Sequence, residues 1–569
     1  MTDSLLPLAA VLVSGGAAVP ILASGGRPNV REGWTLLAAA ANLAIVASMV
    51  PGVVFDGQVY VTDFGTFVPG VRFALRVDPL ALLFGLLASL LWLVTSFYSI
   101  GYMRGLDEHA QTRYFAAFAG SVASAVGVAF ASNLVVLFVF YELLTVATYP
   151  LVTHDETDEA RAAGRKYLAY TFGGGVAVLA GTVLVFWATG TTAFTAGGIG
   201  ALADADPTVA RAAFALLAGG FGVKAALMPL HSWLPDAMVA PTPVSGLLHA
   251  VAVVKSGVFG IARVLLDVFG LDLVGALGLD VVLASVAAFT LVVASVIALR
   301  QENLKRRLAY STVSQLSYIV LGLSVLDPMA TTGGLLHIPA HAFMKLTLFF
   351  CAGAIHVETH TDDIPNMAGI GARMPLTMGA FTVAAAGMAG IPLVAGFVSK
   401  YYILIGTVST GQVVFTAALL VSGVLNIAYF WPVVYTAFFE SPGRSDTKPV
   451  VEGPLGGRFG GETPATDGGR EPDEEDANGT DDHGFAPDHE GQGVQDDIEV
   501  SEQLAPEHGP TSSLDWEHRA PNGSESTWFM LGPILFAAAG SVVLGLVPTQ
   551  AVFLRIVDLI VSGLTGVVV

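Results

Sequence analysis

Fourteen apolar runs, each long enough to cross a bilayer as a helix, constrain this chain more than any other feature of its sequence. A hydrocarbon core takes about 20 apolar residues in helical conformation. Such runs lie near residues 4–23, 33–52, 78–103, 114–131, 133–153, 166–189, 208–228, 241–266, 280–299, 306–325, 330–355, 374–400, 411–438 and 528–548. The pattern predicts an all-α polytopic membrane protein with about 14 transmembrane helices. A last run, 551–569, is long enough for a fifteenth span, but Arg555 and Asp558 suit a helix lying on the membrane surface equally well. The opening Met-Thr-Asp-Ser-Leu-Leu lacks a basic stretch, so the first run is read as a retained span rather than a signal peptide. Between the second and third runs, residues 53–77 alternate apolar and polar side chains around Gly57, Gly65 and Gly70, the pattern of a β-hairpin.

The overall charge conflicts with such a chain until the chain is divided. Of the 569 residues, 54% are hydrophobic and 13% charged, yet the formal net charge is −20. Soluble domains have about a quarter of their residues charged, so a soluble enzyme is excluded. The acidity is local: residues 441–527 hold 21 Asp and Glu against 5 Lys and Arg, while the other 482 residues hold 25 against 21. One acidic segment thus interrupts a nearly neutral membrane portion. Rich in Gly, Pro, Asp and Glu, that segment is expected to be disordered, and its acidity suits a halophilic source. It also carries two glycosylation sequons, Asn478-Gly-Thr and Asn522-Gly-Ser.

Several chemistries drop out. No basic face offers itself to nucleic acid. The single cysteine, Cys351, sits in an apolar run, which leaves no disulfide, iron–sulfur or thiolate–zinc ligand set. Lys255-Ser256 follows Val-Val rather than a glycine loop, so there is no phosphate-binding loop. No cofactor, metal or catalytic residue is therefore expected, and Gly173-Gly174-Gly175 reads as a helix-packing site. His356-Val-Glu358-Thr-His360-Thr-Asp362-Asp363 has metal-capable side chains, but its polarity reads as a solvated loop. With the N-terminus outside, twelve Lys and Arg fall in inner loops and four (Arg72, Arg76, Arg211 and Arg263) in outer ones, so the acidic segment is expected on the cytoplasmic side.

The function is expected where charge is expensive. Four of the seven lysines, Lys224, Lys255, Lys345 and Lys400, lie in spans, where each costs about 2.5–3.5 kcal/mol at a helix centre. Arginine keeps its charge everywhere, whereas lysine gives up its proton readily once buried. Snorkelling or structural pairing is the bland alternative. Glu142 is the one mid-span carboxylate accompanying them. His337, His341 and Lys345, four residues apart, share one helix face and read as a proton relay. His249 lies six residues before Lys255 and thus on another face; a structural role and a relay role are both open for it. The stripe Ser311, Ser314, Gln315 and Tyr318 could line a hydrated path or join helices. Pro229, Pro235, Pro241 and Pro243 break the chain after Lys224, and Gly390-Ile-Pro392 and Gly396 interrupt the span that Lys400 closes. Two broken spans, each with a lysine, resemble the ion path of transporters built from repeats.

The run Gly222-Val-Lys224-Ala-Ala-Leu-Met-Pro-Leu-His231-Ser-Trp-Leu-Pro-Asp236, followed by Ala240-Pro-Thr-Pro-Val-Ser-Gly-Leu-Leu-His249, resembles the signature of one family. It is that of the antiporter-like subunits shared by respiratory complex I and the Mrp-type multisubunit Na⁺/H⁺ antiporters. Tyr141-Glu142-Leu, the stretch from Leu304 to Gln315, His341-Ala-Phe-Met-Lys345 and Gly396-Phe-Val-Ser-Lys400 are similar too, and the resemblance covers about residues 75–440. It implies two inverted five-helix repeats containing broken helices, at 114–266 and 280–440. Around them lie N-terminal spans (1–113), the acidic insert (441–527) and a C-terminal span and tail (528–569). It also implies that Glu142 and Lys224 form a central charged pair, that Lys255 with His337 and His341 continues the axis, and that Lys400 is the distal lysine. L-type complex I subunits carry a long C-terminal lateral helix, M-type subunits have glutamate at the position of Lys400, and N-type subunits lack the Pro-Leu-His-Ser-Trp-Leu-Pro-Asp run. The resemblance therefore points to an Mrp D-type subunit in the cell membrane, with other membrane subunits as partners and protons and Na⁺ as transported ions. A proton-pumping subunit of a complex I-type NADH/quinone oxidoreductase or membrane-bound hydrogenase is the alternative, and a bicarbonate or CO₂ uptake complex the third reading.

Overall fold

The computed structural model describes residues 2–441, 525–548 and 552–565. Its long helices are α1 (Leu6–Ala23), α2 (Pro28–Val54), α3 (Pro79–Gly105), α4 (Gln111–Phe130), α5 (Leu134–Val152), α6 (Asp158–Thr189), α7 (Pro207–Lys224), α8 (Val253–Arg263), α9 (Leu279–Leu299), α10 (Leu304–Ser324), α11 (Pro328–Thr359), α12 (Pro375–Ala389), α13 (Ala395–Ser409), α14 (Val413–Phe439), α15 (Trp528–Leu546) and α16 (Val552–Thr565). With α12 and α13 as halves of one broken crossing, α1–α15 give fourteen crossings among the described residues. Ten of these helices are long and apolar enough to span by themselves. The other four crossings (α7, α8, α10 and the α12–α13 pair) are short, interrupted or lined with polar residues, and they surround the buried charges.

Local sequence sets several helix starts in the same way. Asp78-Pro79, Asp206-Pro207 and Asp327-Pro328 open α3, α7 and α11. In each, the aspartate accepts a hydrogen bond from a first-turn N–H, and proline stands where no intrahelical donor is needed.

The most extensive helix pairings are α6 with α7, α9 with α10, α11 with α13, and α4 with α5. In each five-span set, then, the first crossing packs on the second and the third on the fourth. An odd number of crossings per set makes consecutive sets run in opposite senses through the membrane. The third crossing of the second set is α11, 32 residues long and enclosed by protein over its most apolar 18-residue stretch. At α6·α7 the backbones touch: a Cβ at Gly174 would lie 2.9 Å from the Gly220 carbonyl oxygen, which excludes any larger residue there.

Strands β1 (Thr2–Asp3), β2 (Tyr60–Val68) and β3 (Val71–Val77) form one sheet, β1 parallel and β3 antiparallel to β2, with Tyr60 opposite Val77. The hairpin is shorter than the alternation at 53–77 predicts, because the helix before it runs on to Val54. Beside β3, Arg263 at the end of α8 is 1% exposed and donates to Asp78 from both terminal nitrogens at 2.9 Å and to Asp267 at 2.6 Å. This buried triad ties the start of α3 to the end of α8.

Three expectations need correction. Lys400 does not close its span: the helix restarts at Ala395 and continues to Ser409, which puts Lys400 in its second turn. The segment after residue 355 is a solvated loop only from His360 on, where His360 and Asp363 are exposed. His356 to Thr359 form the last turn of α11, and Glu358 is buried, accepting a hydrogen bond from Ser526 Oγ at 2.9 Å. The end of the acidic segment is also packed. Glu525 accepts from the backbone N–H groups of Thr377 (2.7 Å) and Leu376 (3.0 Å) and so caps the start of α12. The rest of that segment, with both sequons, lies outside the described residues. So do the flanks of α16, whose 14 residues are fewer than a span requires.

Candidate functional site

The buried ionisable side chains lie on helices that enclose one another rather than face lipid. Lys224, Lys255, His249, His337, His341 and Lys345 have no solvent-accessible surface. Glu142 and Lys400 are only half-buried. At Glu142 the exposure does not reach the carboxylate, because both of its oxygens are enclosed.

At the first end, α7 stops at Lys224, where the chain turns away into the proline-rich break. The Lys224 ammonium donates to the carbonyl oxygen of Tyr141 at 2.6 Å and sits 3.4 Å from the centre of the Tyr141 ring. It forms no direct ion pair with Glu142, and both Glu142 oxygens are buried without a hydrogen-bond partner among the described residues. The carboxylate occupies the space left by Gly175 on α6, where any Cβ would collide with its Oε1. The glycine run thus has two uses, Gly174 for backbone packing and Gly175 for housing a charge.

The break after Lys224 rejoins α8 through a short helix, Thr242–Gly246, and a π-helical turn, Leu247–Val251. His249 lies on that turn, with Nδ1 2.9 Å from Thr312 Oγ1 of α10. Such widened turns recur at functional sites. Gly257 lets α8 pack against the backbone at Lys224 and Ala225. Lys255 Nζ lies 2.8 Å from His341 Nδ1, and this contact joins the first five-span set to α11.

Along α11 the i, i+4 face diverges. His341 meets Lys255, whereas Lys345 turns to α10 and donates to Leu308 O at 2.9 Å and Ser311 Oγ at 2.5 Å. His337 Nε2 lies 2.9 Å from Gln315 Oε1, and its Nδ1 lies 2.7 Å from Ser399 Oγ on α13. With Gln315 Oε1 accepting, His337 donates from Nε2 and its Nδ1 accepts from Ser399. Tyr318 stands 5.6 Å from His337, ring centre to ring centre, and Lys400 Nζ lies 4.5 Å from the centre of the Tyr318 ring. Lys400 donates to Met388 O at 2.5 Å, in the last turn of α12, where the helix dipole favours a cation. Gly390, with φ +89°, makes the turn past which the Lys400 stem runs.

The structure thus links Lys255, His341 and His337 with Lys400, and places Lys224 beside Glu142. His249 and Lys345 each also bond to α10, His249 to Thr312 and Lys345 to Leu308 and Ser311. The polar stripe on α10 is divided: Gln315 and Tyr318 meet His337 and Lys400, Ser311 accepts from Lys345, and Ser314 joins Ser295 (2.9 Å) and Ser422 (3.4 Å) as helix contacts. Sequence reasoning missed Ser399 and Thr312, which lie 62 and 63 residues from the histidines they meet and carry no local signal. It also missed the Asp78–Arg263–Asp267 triad, although Arg263 and Asp267 stand four residues apart within one turn.

Fold and row together define a multi-pass membrane protein with an internal line of protonatable groups. Residues 131–426 match the model of the family described as NADH:quinone oxidoreductase/Mrp antiporter, TM. The chain belongs to that family. It is 34% identical over 440 residues to the NADH-quinone oxidoreductase subunit N of Desulforudis audaxviator (strain MP104C), covering 76% of this chain and 87% of that one. It is 33% identical over 391 residues to the hydrogenase-4 component B of Escherichia coli (strain K12), covering 64% of this chain but only 56% of that one. In fold it is similar to a chain of the Mrp complex from Dietzia sp. DQ12-45-1b, with a TM-score of 0.74, 23% identity, and coverage of 98% and 97% of the two chains.

Proposed function

We propose that this chain is the proton-translocating subunit of a multisubunit Na⁺/H⁺ antiporter of the Mrp type, in the D-type position. Protons move between Glu142–Lys224 and Lys400 by way of Lys255, His341 and His337. The observation that carries the reading is the enclosure of the protonatable groups: Lys224, Lys255, His341 and His337 have no solvent-accessible surface, and both Glu142 oxygens are buried. A permanent charge enclosed by protein is costly, so a row of enclosed groups able to gain and lose protons suits transfer better than storage. The buried, unpartnered Glu142 oxygens, His341 Nε2 and Gln315 Nε2 are the kind of polar atom that water ordinarily satisfies, which supports a hydrated path. Separation of Lys224 from Glu142 is one of two positions that such a pair can take. When they approach, the lysine holds its proton; when they part, the proton is released toward Lys255.

Lys400, in place of glutamate, supports the D-type position. The N-terminus outside and the acidic segment in the cytoplasm follow from the charge bias. The relatives in a quinone oxidoreductase and a hydrogenase support a second reading, a proton-pumping module of a redox complex whose chemistry lies on other chains. The test is exchange by the assembled complex in sealed vesicles, with Na⁺ and K⁺ as separate arms. Na⁺-driven proton movement without a redox substrate supports the antiporter. Proton movement that needs NADH or another reductant transfers the protein to the second reading. Deleting residues 445–524 is expected to leave the rate within about twofold, since the segment follows both five-span sets and its packed end, Glu525–Thr527, is retained. A transport-dead but assembled deletion would show that the segment gates the path.

A further inference from the structure

Two turns on one face of the membrane bring together side chains that the proton row does not use. Residues 106–110, between α3 and α4, carry Glu108 and His109; residues 153–157, between α5 and α6, carry His154. One ligand atom from each of the three lies within 4.8 Å of the others. Glu108 Oε2 is 3.9 Å from His109 Nδ1 and 3.8 Å from His154 Nε2. Four-coordinate zinc with bonds of 2.0–2.1 Å sets its ligand atoms about 3.4 Å apart, so the Glu108 contacts would shorten by about 0.5 Å and the widest ligand pair, 4.8 Å apart, by about 1.4 Å to close the site.

We propose that Glu108, His109 and His154 bind one divalent transition-metal ion of the zinc type, with a fourth position open to water. A second observation points to a ligand: the His154 side chain is wholly buried, and neither ring nitrogen has a hydrogen-bond partner among the described residues. A buried imidazole with both nitrogens idle is costly unless something binds it. The neighbouring cation Arg113 is engaged elsewhere, by the Glu156 carboxylate at 2.5 Å and the His154 carbonyl at 3.1 Å. Two imidazoles and one carboxylate suit zinc-like ions and disfavour calcium and magnesium, which take oxygen ligands. An ion there would tie the turn after α3 to the turn after α5, the helix that carries Glu142.

Tag-free full-length protein in detergent, freed of metal with chelator, is titrated with Zn²⁺ and separately with Co²⁺. Four further histidines lie in the acidic segment (His483, His489, His508 and His518), so the reading is the ion lost on substitution. Glu108→Gln and His109→Ala alter partly exposed side chains and should leave the fold intact. Each is expected to weaken one Zn²⁺ by about tenfold or more, and to abolish a tetrahedral Co²⁺ absorption band and a Zn²⁺-induced rise in Tm seen in the unsubstituted protein. Equal Zn²⁺ affinity and stoichiometry in all three proteins would overturn the site, as would no binding to the unsubstituted one.

Discussion

Replacing Lys224 by alanine is expected to lower gradient-driven proton transport by roughly a hundredfold while the protein still folds and assembles. Assembly should survive because Lys224 makes no ion pair among the described residues, so its loss leaves no buried carboxylate stranded at contact distance. Its hydrogen bond goes to the Tyr141 carbonyl, which also accepts from Thr145 at 3.4 Å. Lys224→Arg separates charge from proton exchange. Arginine keeps the positive charge but does not release its proton. If the row works by proton release, the arginine variant is as inactive as the alanine variant. If Lys224 supplied only a fixed positive field, arginine would restore transport. Vesicle assays of both, normalised to assembled complex, make the distinction.

The second large effect concerns stability. Arg263→Gln is expected to destabilise the protein by about 3–5 kcal/mol, because Asp78 and Asp267 would remain buried without their shared cation. Arg76 stands 3.5 Å from Asp78 and offsets part of that loss, so the lower end of the range applies if its side chain can move closer. Asp78 also accepts from the Ala81 N–H at the start of α3, so the loss should spread to that helix and to the hairpin joined to it. Adding Asp78→Asn and Asp267→Asn removes both charges and keeps the cap, and most of the stability should return. Thermal unfolding in detergent measures both, and a triple variant no more stable than Arg263→Gln would show that the arginine acts through packing instead.

Much of this architecture was legible because membrane spans report themselves through length and apolarity. The same is true of α11, where the spacing of His337, His341 and Lys345 placed them on one face. Spacing could not say where a face leads. Lys345 bonds to α10 while His341 bonds to α8, a divergence set by how three helices pack. Nor did polarity distinguish a solvated loop from the buried last turn of α11, because what covers Glu358 is Ser526, 168 residues further on. Gly175 shows the same limit. A glycine run in a span reads as packing, and only the position of Glu142 on α5 reveals that one of its members makes room for a carboxylate.

The central claim is that protons pass along one row through both five-span sets, and the Lys255–His341 contact is where the row passes from the first set to the second. Substituting His341 by leucine cuts that contact and leaves Glu142, Lys224 and Lys400 in place. The rate of gradient-driven proton transport in vesicles carrying assembled His341→Leu complex is the direct test. Transport at the level of empty vesicles is the result expected of a single row, and transport at the unsubstituted rate would contradict it.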